Sequence, residues 1–428
     1  VTRRPTGGDA HDVAAAVAQA HRREWAGVLA ATVRLTRDLD LAQECAQDAF
    51  TRALTSWPAD GVPDRPGAWL TTVARRRALD VLRRESAMRR LLPMLVVDDV
   101  VGGPHDQPEP PAVDDDRLRL VFTCCHPALA PEAQVALTLR LVCGLSTAEV
   151  ARAFLVHEPT MAARITRAKK KIASAAIPYR VPSREELPER LDAVLAVVQL
   201  VFTTGHTAPA GDSLVRHDLV DRALDLARLL HRLLPDEAEA TGLLALLLLT
   251  DARRAARVSS SGALVLLADQ DRSRWDRSLV AEGSALLGSV LLGSALGPGR
   301  PPARYAVQAA VAAVHAEAPT WDDTDWVQVV ALYDVQLAHW PSPVVALNRA
   351  VAVGLRDGPR AGLEALDPLL AEPALATYGY LAAARADFLR RLGDRAAAAA
   401  AYEEALALTD NAVERAFLRS RLDDVRQG

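Results

Sequence analysis

The stretch from Gly144 to Ile172, GLSTAEVARAFLVHEPTMAARITRAKKKI, constrains this chain more than any other. Ser146 followed by Glu149 has the spacing of a capping box, in which each side chain satisfies a free backbone N–H at a helix start. Val150, Ala153 and Phe154 then share one apolar helical face. A short break follows from Leu155 to Glu158. Pro159 suits the first turn of a second helix, where its missing N–H costs nothing. From Thr160 the spacing predicts a helix with Met161 and Ile165 inward, and Arg164, Arg167, Lys169, Lys170 and Lys171 largely outward. Lys169, Lys170 and Lys171 are the only lysines of the sequence. A cationic helix end can simply complement the helix dipole. The capping box and turn so close before it favour a helix-turn-helix whose second helix enters a DNA major groove.

The remaining composition sets the fold class. Half of the 428 residues are hydrophobic, 24% are charged and only 4% are aromatic. Ala, Leu and Arg dominate, which predicts an all-α chain of several domains. The formal net charge of −4 hides an uneven distribution, so the total says nothing about DNA. Cys45, Cys124, Cys125 and Cys143 make no disulfide framework and fit a reducing cytoplasm. Cys124-Cys125-His126 matches no common zinc spacing and reads as buried thiols. Gly242 to Leu249 and Ala285 to Leu296 are too short to span a bilayer and read as buried helices. No metal, cofactor or membrane partner is expected. No enzyme constellation appears: HExxH, GxxxxGK[ST], GxSxG and a dinucleotide fingerprint are absent.

Two further surfaces lie ahead of the helix-turn-helix. From Asp40 to Phe50, helical spacing sets Glu44, Gln47 and Asp48 on or near one face, with Ala42, Ala46, Ala49 and Phe50 behind. Such an acidic face is ordinarily just solvated. Trp57 to Pro66 is turn-rich and predicts a helix end. The next helix can bury Leu70, Val73, Leu79 and Leu82, and must expose Arg75, Arg76, Arg77, Arg83 and Arg84. Trp57 and Trp69 stand beside this cationic helix. Two readings stay open for them: core residues, or rings that stack on unpaired bases while the arginines hold phosphates.

Val97 to Asp116 carries seven acidic residues, repeated Pro and Gly, and no Lys or Arg. It reads as a flexible acidic linker that holds two basic modules apart. Past Pro178, Pro182 and Pro188 the chain becomes a run of Ala/Leu-rich amphipathic helices. Gly358 and Gly393 lie 35 residues apart, close to the tetratricopeptide period. Stacked helix pairs of that kind, or a plain helical bundle, are the alternatives there. Trp321 to Trp326 reads as a structured inter-helix loop.

Taken together, these pieces resemble a bacterial sigma factor of the extracytoplasmic-function class, in the branch with a C-terminal tetratricopeptide-like extension. The resemblance implies four segments. Residues 12–92 would form sigma domain two, 93–116 the acidic linker, 117–177 sigma domain four, and 183–428 a helical regulatory domain. Asp40 to Phe50 looks like the motif that docks on the β′ clamp helices of RNA polymerase core, through Glu44, Gln47, Asp48 and Phe50. Gln43 stands where an acid is common. Trp69 to Arg84 is similar to the segment that melts and reads the minus-ten element, where Arg76 replaces a frequent asparagine. Trp57, Trp69, Arg75, Arg76, Arg77, Arg83 and Arg84 are its implied DNA contacts. Thr160, Arg164 and Arg167, with Lys169, Lys170 and Lys171, are the implied contacts to the minus-thirty-five element. The expected partners are polymerase core, promoter DNA and a protein partner of the C-terminal domain. The alternative is a one-component helix-turn-helix regulator with a helical sensor domain.

Overall fold

A computed structural model describes residues 7–91, 113–154, 156–183, 185–296 and 302–427, and divides the chain into two compact units, residues 1–197 and 198–428. The described residues are almost wholly helical, as composition predicts. Residues 93–112, all of the expected acidic linker but its last four residues, lie outside them.

The first unit opens with α1 (Gly7–Thr36), α2 (Leu39–Asp60) and α3 (Pro66–Leu91). Ala42, Ala46, Ala49 and Ala53 of α2, and Leu70, Ala74 and Ala78 of α3, are all fully buried, so small side chains let these helices approach closely. Ala78 takes the inward position, and the neighbouring Leu79, expected in the core, is exposed. The helix end expected at Trp57 falls later, because α2 runs through Pro58 to Asp60. A proline in the last turn removes one N–H, and Gly61, at φ +82°, closes the helix by donating its N–H to the Trp57 carbonyl at 2.9 Å.

The same unit continues with α4 (Val113–Cys124) and α5 (Pro131–Leu137), which passes into a π turn over Thr138–Val142. Then come α6 (Thr147–Ala153) and α7 (Glu158–Ser174), and the start of α8 (Leu187–His206), which carries the chain across the boundary. The four cysteines are buried; burial pushes the Cys45 thiol up to about 11 and the Cys125 thiol up to about 12. Cys125 Sγ sits 3.3 Å from Thr138 Oγ1.

The acidic linker was expected to hold the two modules apart. Instead α1 packs on α4 and on the π turn. Trp25, 2% exposed, donates its indole N–H to the Leu141 carbonyl at 3.0 Å. The Tyr179 hydroxyl shares its proton between the carbonyls of Ala30 (3.0 Å) and Asp116 (3.1 Å). Asp116, read as a linker acid, is 2% exposed inside α4, where Arg34 (3.1 Å) and Arg119 (3.0 Å) compensate its charge. Gly144, at φ +73°, turns the chain where an added Cβ would stand 2.9 Å from Trp25 Cδ1. Glycine suits both the left-handed backbone and the close approach.

The second unit holds the rest of α8, then α9 (His217–Leu233), α10 (Ala238–Asp251), α11 (Arg277–Leu296) and α12 (Arg304–Glu317). The chain goes on through α13 (Trp326–His339), α14 (Pro343–Asp357), α15 (Pro359–Leu366), α16 (Gly379–Arg391), α17 (Arg395–Ala407) and α18 (Ala412–Gln427). Helix α10 is buried nearly all round, as its apolar run predicts. It crosses α12 so closely that a Cβ on Gly242 would stand 2.7 Å from the Ala306 nitrogen. Glu239 of α10 caps α12 from outside by accepting the N–H groups of Arg304 (2.8 Å) and Tyr305 (3.0 Å). Helix α11 departs from expectation: Leu291 and Leu292 are exposed, since only one face packs on the core around Ala245 and Trp275. Asp325 caps α13 by accepting from Gln328, so the loop before it is structured as read.

The glycines spaced for a repeat both sit between helices. Gly358, at φ +102°, joins α14 to α15, and Gly393, at φ +82°, precedes α17. Asp394 caps α17 through the Ala397 N–H at 3.1 Å. Gly354 and Gly362 let α14 and α15 meet beneath Phe388, whose ring lies 2.2 and 2.5 Å from the positions their Cβ atoms would take.

Two histidines in this unit are held neutral. Burial lowers His206 to about 2 and His315 to about 4, with nearby arginines adding to the effect. Above pH 6.5 the rings are neutral in both folded and unfolded chains. Below it the unfolded chain takes up protons that the fold excludes, so the contribution is full above pH 6.5 and lost as pH falls. Urea unfolding of the second unit is expected to give a stability about 2–4 kcal/mol lower at pH 5 than at pH 7.

Candidate nucleic-acid interface

The helix-turn-helix forms where local chemistry directs it. The Ser146 hydroxyl accepts the Glu149 N–H at 3.2 Å, and the Glu149 carboxylate accepts the Ser146 N–H at 2.6 Å. Pro159 occupies the first turn of α7. Met161, Ile165, Ala168 and Ile172 form its buried stripe. Thr160, Arg167, Lys170 and Lys171 are exposed, and half-exposed Arg164 lies over the Phe154 ring at 5.5 Å. Four cations and a hydroxyl therefore face outward on or beside one helix, a suitable set for phosphates and base edges.

Lys169 is different. Its Nζ lies 2.7 Å from Asp40 Oδ1 and 2.8 Å from Gln43 Oε1, both on α2, and its side chain is only 10% exposed. Expected as a DNA contact, it ties α7 to α2 in this structure, because packing α7 beside α2 offers it a carboxylate and an amide at once. Sequence spacing carried no signal for this pair.

On α2, Glu44, Gln47 and Asp48 are exposed and lie on one face, separated by three and four residues. Phe50 is placed otherwise, at 6% exposed, with its ring 5.0 Å from His21 and 5.8 Å from Trp25. It shares the inward face with Ala46, Ala49 and Ala53, so it serves the core and not the exposed row. Trp57 follows one heptad later on that face and is 1% exposed, which removes it from the surface where a DNA contact was expected. Its indole meets Trp69 edge-on at 5.6 Å, and Trp69 is half-exposed.

Helix α3 presents the expected arginines. Arg75, Arg76, Arg83 and Arg84 are exposed. Arg77 is part-exposed and its Nε pairs with Asp48 Oδ2 at 2.9 Å, so one member of the cationic face meets one member of the acidic face. The two surfaces thus adjoin along α2 and α3. Such exposed pairs contribute little stability, ~0–1 kcal/mol, and can exchange for a partner's charges.

Comparisons with known proteins give these helices a family. Residues 20–88, from within α1 to within α3, match sigma-70 region 2, and residues 119–172, from within α4 to within α7, match sigma-70 region 4. Residues 190–291 match a family of unknown function (DUF6596). The uncharacterized protein R00370 of Rhizobium meliloti (strain 1021) is 43% identical over 398 residues, 92% of each chain. A probable ECF RNA polymerase sigma factor, SigI of Mycobacterium tuberculosis (strain CDC 1551 / Oshkosh), is 28% identical over 170 residues, 39% of this chain and 57% of that one. No solved structure matches. Sigma-70 regions 2 and 4, in this order on these helices, define a sigma factor with a role in transcription initiation. Within that class, the chain belongs to the same family as R00370.

Among the described residues no helix is long and apolar enough to cross a membrane.

Proposed function

We propose that the chain docks on RNA polymerase core through Glu44, Gln47 and Asp48 and directs it to promoters. Arg75, Arg76, Arg77, Arg83 and Arg84, beside the half-exposed Trp69, hold the opened minus-ten element. Thr160, Arg164, Arg167, Lys170 and Lys171 read and position the minus-thirty-five element. The observation that carries this reading is the exposed acidic row of α2 alongside the exposed arginine row of α3. A helix-turn-helix regulator acting alone has no use for the first and no need of the second. The helical second unit, with its glycine-marked helix pairs, modulates that activity through a partner.

Distance makes a further demand on the N-terminal unit. The two promoter elements lie about 25 base pairs apart, ~85 Å at 3.4 Å per pair. A folded unit of 197 residues has a radius of gyration of about 16 Å. The two regions as packed cannot reach both elements together. The packed unit is therefore the form that precedes promoter binding, and opening it breaks the Trp25, Tyr179 and Lys169 contacts. Residues 93–112, ~70 Å when extended, have the reach to let region 4 move away. Mounted on core, the two readers then act bivalently.

Run-off transcription with purified core and promoters from the neighbourhood of the chain's own gene tests the proposal. Glu44→Lys with Asp48→Lys is expected to weaken core binding more than about tenfold, about 1.4 kcal/mol. Unchanged binding by the double variant, or a tight promoter gel shift without core, would favour the lone regulator.

A further inference from the structure

The second unit holds an open-mouthed cavity of about 560 Å³ among α8, α10, α12, α13 and α14, within the range of small-molecule sites. Its lining includes Arg253, just past the end of α10, and among the described residues no aspartate or glutamate. The Arg253 guanidinium has no hydrogen-bond or ion-pair partner among the described residues. Desolvation pulls it down to about 10, so it remains charged at neutral pH. Arg253 is half-buried on the cavity wall, where its charge has no carboxylate beside it, among the described residues, to compensate it. Arg254, next in sequence, shows the ordinary solution by pairing with Asp251 at 2.6 Å and Asp221 at 2.9 Å.

The walls repeat the pattern. His315 Nδ1 and Trp275 Nε1 are buried without partners, and both residues line the cavity. Trp326, 5.4 Å edge-on, packs against the His315 ring. Amides line the same space: Gln199 donates to Gln308 at 3.1 Å, while Gln336, 3% exposed, and Asn348 stand nearby on α13 and α14. Buried polar atoms without partners in a native fold call for an explanation. Together these groups offer one fixed positive charge and several neutral donors, with apolar wall from Leu249, Val311 and Val344.

We propose that this cavity binds a carboxylate, held by the fork of Arg253 and oriented by the surrounding amides and indole. A guanidinium matches a carboxylate bidentately. A phosphate dianion would keep half its charge uncompensated here, because among the described residues Arg253 is the only Arg or Lys that lines the cavity. The carboxylate can belong to a free small acid or to the C-terminus of a peptide. This inference is independent of the sigma-factor reading.

Isothermal titration of the full chain separates the cases, with N-acetyl-L-leucine, N-acetyl-L-leucinamide, and the tetrapeptide Ala-Ala-Leu-Leu with free or amidated C-terminus as probes. At least one free acid is expected to bind with Kd below about 1 mM, and its amide about tenfold or more weaker. R253Q should reduce the acid to the level of its amide, and R253K should lie between. A peptide acid more than about tenfold tighter than the acetylated amino acid identifies a chain terminus; near-equal affinities identify a small acid. In the free chain R253Q should leave the thermal midpoint unchanged or raise it, since it removes an uncompensated charge. Equal binding of acid and amide, binding that survives R253Q, or no binding of either acid up to about 10 mM overturns the proposal. So does a midpoint lowered by R253Q together with no acid binding, which would mark Arg253 as structural.

Discussion

Trp25→Ala is expected to destabilise the N-terminal unit by about 5 kcal/mol. Truncating a buried tryptophan leaves a cavity that costs about 3–5 kcal/mol. The substitution also strips the Leu141 carbonyl of its donor at 3.0 Å, and a buried acceptor left unmade costs about 1–3 kcal/mol. Relaxation of Gly144 into the vacated space recovers a part. The comparison variant is Lys169→Ala. Its partner Asp40 is 77% exposed, so losing that pair should cost no more than about 1 kcal/mol. Urea unfolding followed by far-UV circular dichroism measures both. A loss below about 2 kcal/mol for Trp25→Ala would show that region 4 does not lean on region 2 through this indole. With the loss, a dye pair on the exposed ends of α2 and α7 should also separate, because the same side chain carries stability and closure.

These two variants also mark where the sequence was legible. Ser146, Glu149 and Pro159 act within a few residues of themselves, so their spacing was enough to place α6 and α7. The acid row of α2 and the arginine row of α3 followed from helical period alone. Helical period sets Phe50 behind the acidic row with Ala46 and Ala49 and leaves Trp57 open between core and contact. Only the family resemblance makes both of them contacts, and the structure buries them on the face of Ala46, Ala49 and Ala53. Lys169 and Asp40 stand 129 residues apart, and no local pattern announces such a pair. Asp116 reads as a linker acid because Asp114 and Asp115 precede it. Arg119 on the same helix and Arg34 on α1 together let that carboxylate be buried, and the second of these is out of reach of any local pattern. In the second unit, Ala/Leu-rich helices fix the class of structure. They leave open which helices meet, because nearly every face offers the same small apolar side chains. The crossings are set by points such as Gly242 against Ala306 and Glu239 on the start of α12.

Asn411→Ala is expected to destabilise the second unit by about 3–5 kcal/mol, and the reason lies in what one amide does there. Asn411 is fully buried, in a two-residue parallel pairing of β1 (Ala210–Gly211) with β2 (Asp410–Asn411). Its Nδ2 donates to the carbonyls of Ala208 (2.9 Å) and Ser213 (3.0 Å). Its Oδ1 accepts the N–H groups of Val413 (3.0 Å) and Glu414 (3.3 Å), which begin α18. The side chain thus caps the last helix and satisfies a loop from the opposite end of the unit's sequence. Loss of the cap costs ~1 kcal/mol, and the two stranded carbonyls ~1–3 kcal/mol each, less whatever water recovers. Asn411→Asp keeps the shape and the cap but cannot donate, and at neutral pH it sets a carboxylate against two carbonyls. It should therefore be at least as damaging at pH 7 as the alanine, although it is the closer mimic. If both variants unfold in urea within about 1 kcal/mol of the parent, the amide is not what joins the unit's first loop to its last helix.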